Sequence, residues 1–186
     1  MSSLSTSAWI AHDLGLAIGV GGTLFGRAAL HPALRDISDD SQRGLVMKRA
    51  WQRFNAFQMP AVAIAALTWF VGRSKLSGHA VDSGSQTLAR VKDGLMIGTV
   101  VTGVGAALAG QGMARVGGGP RGAVPVNGSG QPTTAAPSRA HRLSRVTDVF
   151  GFANLVCAAG VLGISTVLAM RAGRSMRWSV VSRFLP

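Results

Sequence analysis

Side chains that could carry out proton chemistry lie near two of the apolar segments of this chain. His12 and Asp13 are adjacent close to the amino terminus, and Asp93 follows Lys92 at the start of a later apolar segment. An acid beside a histidine in an apolar setting could relay protons or bind a quinone headgroup. An aspartate near a helix start is also a common cap or partner of the helix dipole. His12, Asp13 and Asp93 are therefore a candidate polar site, with helix capping as the competing interpretation.

A second candidate is an intramembrane pair of charges, Arg27 and Asp148. Arg27 interrupts the first apolar segment, and Asp148 lies at the start of the last one. A charge inside a bilayer costs about 3 kcal/mol on insertion scales, so an arginine there needs a partner or a route to the headgroups. Successive spans alternate in direction, which places both residues on one membrane face. The pattern predicts either an Arg27–Asp148 pair or an arginine that reaches the headgroups alone.

Histidine and cysteine positions bear on metal and haem binding. Two histidines on different helices could hold a haem across a bundle, and His31 with His141 is the pair that would share a face. The positions argue against haem, because His12 and His31 lie near opposite ends of one helix. Cys157 is the only cysteine, and the spacing of the acidic and histidine residues fits neither a metal site nor a catalytic triad. We predict no catalytic residue and no metal, and leave a bound quinone open.

The elements that would position these residues are membrane-spanning helices. The chain is 47% hydrophobic and only 14% charged, whereas about a quarter of a soluble domain is charged. A spanning helix needs about 20 mainly apolar residues, and period-two alternation typical of barrel strands is missing. The sequence therefore predicts an all-α, four-helix transmembrane bundle with short interfacial helices. The predicted spans are 8–34, 54–72, 94–112 and 149–170.

The connections divide the bundle into recognisable parts. Residues 1–115 hold the first three spans, with an interfacial helix near 41–53 in which Met47, Trp51 and Phe54 repeat at helical spacing. Residues 116–140 contain six Gly and four Pro and are predicted to be a disordered loop. Residues 141–172 form the fourth span, and 173–186 a basic amphipathic tail that lies in the interface.

Four glycines form a stripe along one face of the first span. Gly15, Gly19, Gly22 and Gly26 follow each other at intervals of four, three and four residues. Small residues at this spacing let a second helix approach closely in lipid. The stripe therefore predicts a helix-packing groove, whose occupant is a helix of the same bundle, another subunit or a ligand.

The charge of the chain fits a membrane surface better than nucleic acid. The net charge is +12, with 16 Arg and 3 Lys, and the basic residues flank apolar helices without the pattern of an RNA-binding or helix-turn-helix motif. The bias towards Arg, Gly and Ala without tyrosine is typical of a GC-rich bacterial genome. We therefore expect a multi-pass protein of the bacterial inner membrane, in contact with lipid and other membrane subunits and with no nucleic acid.

Three stretches resemble a known group of small membrane proteins. The runs HDLGLAIGVGGTLFGRAALHPAL, WQRFNAFQMPAVAIAALTWF and RLSRVTDVFGFANLVCAAGVLGIS resemble the four-helix domains that include the transmembrane protein 205-like and anthrone-oxygenase-like families. The resemblance implies a four-helix membrane domain and supplies no catalytic residue. The basic Pro/Gly-rich loop and basic tail depart from it. Small proteins of this kind also resemble accessory subunits of bacterial respiratory complexes.

Three functions are compatible with these features. The favoured hypothesis is a non-catalytic accessory or assembly subunit of a larger membrane complex, respiratory by resemblance, because a glycine groove and amphipathic interfacial helices suit contact with other subunits. The alternative is a small redox enzyme or quinone-site component that acts on an apolar substrate. A transporter component comes third, because few charges lie near the middle of the spans.

Overall fold

The fold is a bundle of long helices. The computed structural model describes residues 3–76, 83–118 and 122–181, with side chains over 7–71, 84–118 and 122–171. Within this part of the chain, four helical stretches of 30 to 34 residues are long and apolar enough to cross a membrane. The all-α four-helix prediction is confirmed, and the protein is a multi-pass membrane protein. The elements are α1 (Ser3–Phe25), a π-helical turn (Gly26–Leu30), α2 (His31–Ala33), a 3-10 turn (Leu34–Asp36), α3 (Asp40–Leu76), α4 (Ser83–Val116) and α5 (Ser138–Val181).

The bundle has two distinct ends. On one, called the N-terminal side, α1 and α4 begin and α3 and α5 end. On the other, called the loop side, α1 passes through α2 towards α3, and residues 122–137 connect α4 to α5. The helix α1 packs mainly on α3, while α4 packs mainly on α5, and contacts of α1 with α5 join the two pairs. Each of the two candidate polar groups therefore lies at a different end.

A proline explains the π-helical turn at the end of the first span. Pro32 has no N–H, and its ring clashes with the carbonyl four residues earlier in a regular α-helix. The chain widens into a π-helical turn instead, in which the His31 N–H donates to the carbonyl of Gly26, five residues back. The helical path thus continues through Pro32 to the loop side, with Arg27 on the widened turn and His31 directly after it.

The glycine stripe of α1 lies against α3. A Cβ at Gly15 would overlap the Ala61 carbonyl, and one at Gly22 would overlap the Phe54 ring, so the two helices are closer than larger residues would permit. The occupant of the predicted groove is therefore a helix of the same chain. In order along the first span, Gly15, Gly19, Gly22 and Gly26 face Ala61, Gln58, Phe54 and Trp51.

The helices α4 and α5 meet along a seam with a seven-residue repeat. Gly98, Gly105 and Gly112 face Cys157, Phe150 and Leu143 in that order. Both sets are seven residues apart, which is the spacing at which two antiparallel helices keep the same face together. Near the middle of the seam, the buried Asn154 side chain donates to the Thr99 carbonyl at 2.6 Å. In lipid such an amide needs a protein partner, so this bond helps to fix the register.

The predicted interfacial helix near 41–53 is not a separate element. It forms the first turns of α3, which continues without interruption from Asp40 to Leu76 and includes Pro60. Between Gly44 and Pro60 the sequence contains neither glycine nor proline, so nothing ends the helix where it becomes apolar. At the other end of the chain, the backbone of α5 is helical to Val181. The side chains of the predicted tail, 173–186, lie outside the described residues.

The segment predicted to be disordered packs against the loop side wherever it is described. Val124 and Val126 are buried, and the Val126 N–H donates to the Asp40 carbonyl at 3.1 Å. Gly44 lets the Val124 carbonyl touch α3, because a Cβ at Gly44 would overlap it. The disorder prediction was wrong for residues 122–137, here called the loop-side segment, since two apolar residues and backbone contacts with α3 order it.

A turn within the loop-side segment supplies its own hydrogen bonds. The Asn127 carboxamide oxygen accepts from the N–H groups of Ser129 and Gln131, each at 3.0 Å, and from the Ser129 hydroxyl at 2.7 Å. Gly130 adopts a positive φ of 80°, and its N–H donates to the Asn127 carbonyl at 2.9 Å. This is the turn chemistry that asparagine and glycine favour. Gly/Pro-rich composition is therefore compatible with a defined conformation here.

The α1–α3 packing predicts different effects for two neighbouring glycines. Gly22→Leu must displace the Phe54 ring, whereas Gly21 has no neighbour within 4 Å. We expect Gly22→Leu to lower the free energy of unfolding by about 1–3 kcal/mol or more, as overpacking does, and Gly21→Leu to stay near wild type. Thermal unfolding in mild detergent measures both. Equal melting temperatures for the two variants would contradict the packing of α1 on α3.

The packing of the loop-side segment predicts that a charge at Val126 releases it. Val126→Asp buries a carboxylate where the valine is fully buried, and the cost is on the order of 3 kcal/mol. Limited trypsin digestion should then cleave faster at Arg139, where α5 begins. Thr134→Asp, at an exposed position of the same segment, is the control. Cleavage of Val126→Asp at the wild-type rate would show that the segment is not anchored through this residue.

Candidate functional site

Three helices bring polar and aromatic side chains together on the N-terminal side. The helix α1 supplies Trp9 and His12, α3 supplies Trp69, and α4 supplies Lys92 and Asp93. Trp9 and His12 are three residues apart, which places them on one helix face. These five residues are called the Lys92 site.

Lys92 is the centre of this site. Its side chain is 0% exposed, and Nζ lies 3.8 Å from the centroid of the Trp69 ring and 4.8 Å from that of Trp9. Both distances are in the range of cation–π attraction. The carboxylates of Asp13 and Asp93 also attract the ammonium group. Even so, Nζ has no hydrogen-bond partner within the described part of the chain. A buried ammonium group that donates no hydrogen bond is costly in free energy.

His12 is held in one orientation and, by its geometry, in one tautomer. The side chain is 1% exposed, and Nδ1 lies 2.7 Å from the Ala65 carbonyl oxygen. Because a carbonyl oxygen only accepts, Nδ1 carries the proton and donates it to Ala65. In the neutral ring, Nε2 then presents its lone pair. It is buried and has no partner among residues 7–71, 84–118 and 122–171.

The two tryptophans form walls of unequal accessibility. Trp69 is buried, and its Nε1 donates to Asp93 Oδ1 at 2.7 Å, which fixes the ring beneath the ammonium. Trp9 lies edge-on to Trp69, with ring centroids 6.1 Å apart, and edge-on to His12 at 5.8 Å. It is 39% exposed. Trp9 therefore separates Lys92 Nζ and His12 Nε2 from the surroundings of the bundle.

The geometry provides a hydrogen-bond donor and an acceptor beside the same aromatic walls. Lys92 can donate to an oxygen atom, and His12 Nε2 can accept a proton from a hydroxyl group. Of the three predicted polar-site residues, His12 and Asp93 both contact Trp69, whereas Asp13 is exposed. Helix capping does not describe Asp13 or Asp93, because each lies about three turns after the first residue of its helix, Ser3 of α1 and Ser83 of α4.

The second candidate group brings the predicted residues together through different atoms. Arg27 Nη2 donates to the backbone carbonyl of Asp148 at 3.1 Å, not to its carboxylate. The carboxylate oxygen Oδ2 accepts from Gln131 Nε2 at 2.9 Å instead, and Gln131 Oε1 accepts from the Ser144 hydroxyl at 3.2 Å. The predicted charge pair therefore differs from the structure, because a residue of the loop-side segment reaches the carboxylate.

The histidines considered for haem have separate surroundings. The His31 ring lies 6.2 Å from that of Trp51, while His141 is exposed at the start of α5. Among the residues that the structure describes, no group of three His, Cys, Asp or Glu side chains could hold a metal ion. His79, which the sequence places between the second and third spans, lies outside the described residues.

Sequence reasoning placed Lys92 near the polar site but missed its aromatic walls. The sequence does contain two signals of the site. Lys92 lies inside a helix that is apolar enough to cross a membrane, and Trp9 lies three residues before His12. The role of Trp69 has no local signal, because the residue reaches the site only through the packing of α3 on α1.

No protein-family model, no curated protein and no solved structure gives a significant match to this chain.

The burial of Lys92 predicts that the residue is not required for stability. Replacing a buried ion by an apolar side chain of similar volume is often neutral or stabilising by about 1–4 kcal/mol. We expect Lys92→Met to unfold at or above the wild-type melting temperature in detergent. Arg90→Met, two residues away and exposed, controls for the loss of one charge on α4. If Lys92→Met melted well below both the wild type and Arg90→Met, the ammonium group itself would stabilise the bundle.

Proposed function

We propose that this protein is a quinone-site component: a multi-pass subunit of the bacterial inner membrane that binds a quinone headgroup at the Lys92 site. One observation carries the proposal. Lys92 Nζ and His12 Nε2 are both buried, both lack a hydrogen-bond partner in the described part of the chain, and both lie beside Trp9 and Trp69.

The chemistry of a quinone matches these groups. Its ring carries carbonyl oxygens that accept hydrogen bonds, and its tail is soluble in the bilayer. Lys92 would donate to one carbonyl, and His12 Nε2 would accept the proton of a hydroxyl in the quinol form. The flat ring suits an aromatic wall. Trp9 is the residue that must move for the ring to reach Lys92.

The accessory or assembly subunit is the second candidate. The glycine groove gives it no support, because α3 occupies the stripe from Gly15 to Gly26. The ordered loop-side segment does favour it, since a polar surface at one end of the bundle could contact another subunit. The resemblance to small four-helix membrane families and the transporter hypothesis remain predictions. A subunit that contributes a quinone site to a respiratory complex would satisfy both of the leading hypotheses.

Tryptophan fluorescence tests quinone binding directly, because two of the four tryptophans of the chain belong to the Lys92 site. Titration of the purified protein with a short-tailed benzoquinone should quench the fluorescence with a saturable component. We expect Lys92→Met and His12→Phe to weaken the affinity at least about tenfold, which corresponds to about 1.4 kcal/mol. Arg90→Met should bind like the wild type.

An alcohol with the same tail and no quinone ring is the ligand control, and it should not compete. Quenching that never saturates, or that is the same in Lys92→Met and the wild type, would contradict the proposal. Stable association with other membrane subunits in mild detergent, without quinone binding, would favour the accessory-subunit candidate instead.

A further inference from the structure

An apolar cavity opens between α1 and α3 on the loop-side half of the bundle. Its volume is about 210 Å³. Its walls are formed by Gly22 and Phe25 of α1, Gly26 and Leu30 of the π-helical turn, and Ala50, Trp51 and Phe54 of α3. The rings of Phe54 and Trp51 lie directly against the two glycines, and the cavity opens beside this contact.

The cavity lies at a defined level of the bundle. Gly22 and Gly26 face Phe54 and Trp51, which belong to the part of α3 where the charged residues end and the apolar residues begin. This change in composition marks the boundary between headgroups and acyl chains, where tryptophan is also enriched. A molecule in the cavity would therefore have its apolar part in the hydrocarbon and its polar part among the headgroups of the loop side.

Basic residues flank the cavity on α3. Arg49 precedes Ala50, and Arg53 lies three residues after Ala50, on the adjoining strip of the helix surface. Both arginines are exposed. Asp40 of the same helix pairs with Arg43, and no described carboxylate forms a salt bridge with Arg49 or Arg53. Guanidinium groups at this depth attract anionic lipid headgroups.

We propose that this cavity is a binding site for an anionic phospholipid, with part of one acyl chain between α1 and α3 and the phosphate held by Arg49 and Arg53. The apolar lining suits an acyl chain, and the arginines without a carboxylate partner suit a phosphate. Because the cavity lies at the boundary between acyl chains and headgroups, one lipid molecule can make both contacts. The site is at the opposite end of the bundle from the Lys92 site, so it stands independently of quinone binding.

Native mass spectrometry of the full-length protein in detergent tests the proposal. Phosphatidylglycerol and phosphatidylcholine with identical chains are titrated separately. One phosphatidylglycerol should bind at least about five times more tightly than phosphatidylcholine, in keeping with charge-assisted contacts from two arginines. Glycerol phosphate, which has no acyl chain, should not displace it. Displacement by glycerol phosphate would identify a free phosphate site and overturn the lipid assignment.

Variants separate the headgroup contact from the chain contact. The double change Arg49→Gln and Arg53→Gln should abolish the preference for phosphatidylglycerol, whereas Arg90→Gln on the N-terminal side removes a charge and should keep it. Ala50→Leu should weaken the binding of both lipids by filling the cavity. If Ala50→Leu fails to fold, the exposed arginines still decide the question. Equal binding of the two lipids by the wild type, or an unchanged preference in the double variant, would overturn the proposal.

Discussion

The close approach of α1 to α3 at Gly15 is the contact on which the Lys92 site depends. A Cβ at Gly15 would overlap the Ala61 carbonyl, so only glycine lets the helices come this near. One turn further towards the N-terminal side, the same approach puts His12 Nδ1 2.7 Å from the carbonyl of Ala65. Another turn on, Trp69 lies beneath Lys92. A wider separation of α1 and α3 would remove the hydrogen bond that orients His12 and would separate the two tryptophans.

Several buried polar side chains in the described parts of the spans donate to backbone carbonyls, as lipid requires. Asn154 donates to Thr99 across the α4–α5 seam, and the Ser165 hydroxyl donates to the Val161 carbonyl of its own helix at 2.8 Å. Lys92 Nζ and His12 Nε2 differ, since neither has such a partner in the described part of the chain. Because the bundle supplies partners to other buried polar groups, the two unpartnered nitrogens of the Lys92 site suggest a ligand there.

The sequence was sufficient for the features that depend on helical periodicity. Apolar runs longer than a bilayer predict the spans, and the spacing of Gly15, Gly19, Gly22 and Gly26 predicts a close helix contact. Only the structure identifies α3 as the helix that packs on this stripe, because the spacing of small residues does not indicate which helix they meet. The aromatic walls around Lys92 come from two other helices, and only packing brings them to it.

The loop-side segment shows the limit of composition as a guide. Its Gly and Pro content is typical of disorder, yet Val124 packs with Ala136 and Ala140. Two or three small apolar residues are too few to show in a hydropathy pattern, although they are enough when α3 and α4 already present a surface. The sequence also could not predict which atoms of Arg27 and Asp148 meet. The Asp148 carboxylate binds Gln131, which belongs to this segment, and Arg27 binds the Asp148 backbone carbonyl instead.

The tautomer of His12 tests most directly whether α1 and α3 hold this site as described. The ¹⁵N spectrum of histidine-labelled protein in lipid, assigned with His12→Gln, reports which ring nitrogen carries the proton. We predict that Nδ1 is protonated and Nε2 is bare, and that addition of a quinol shifts the Nε2 signal. A His12 ring protonated at Nε2 alone, or one that averages between tautomers like a free imidazole, would contradict it.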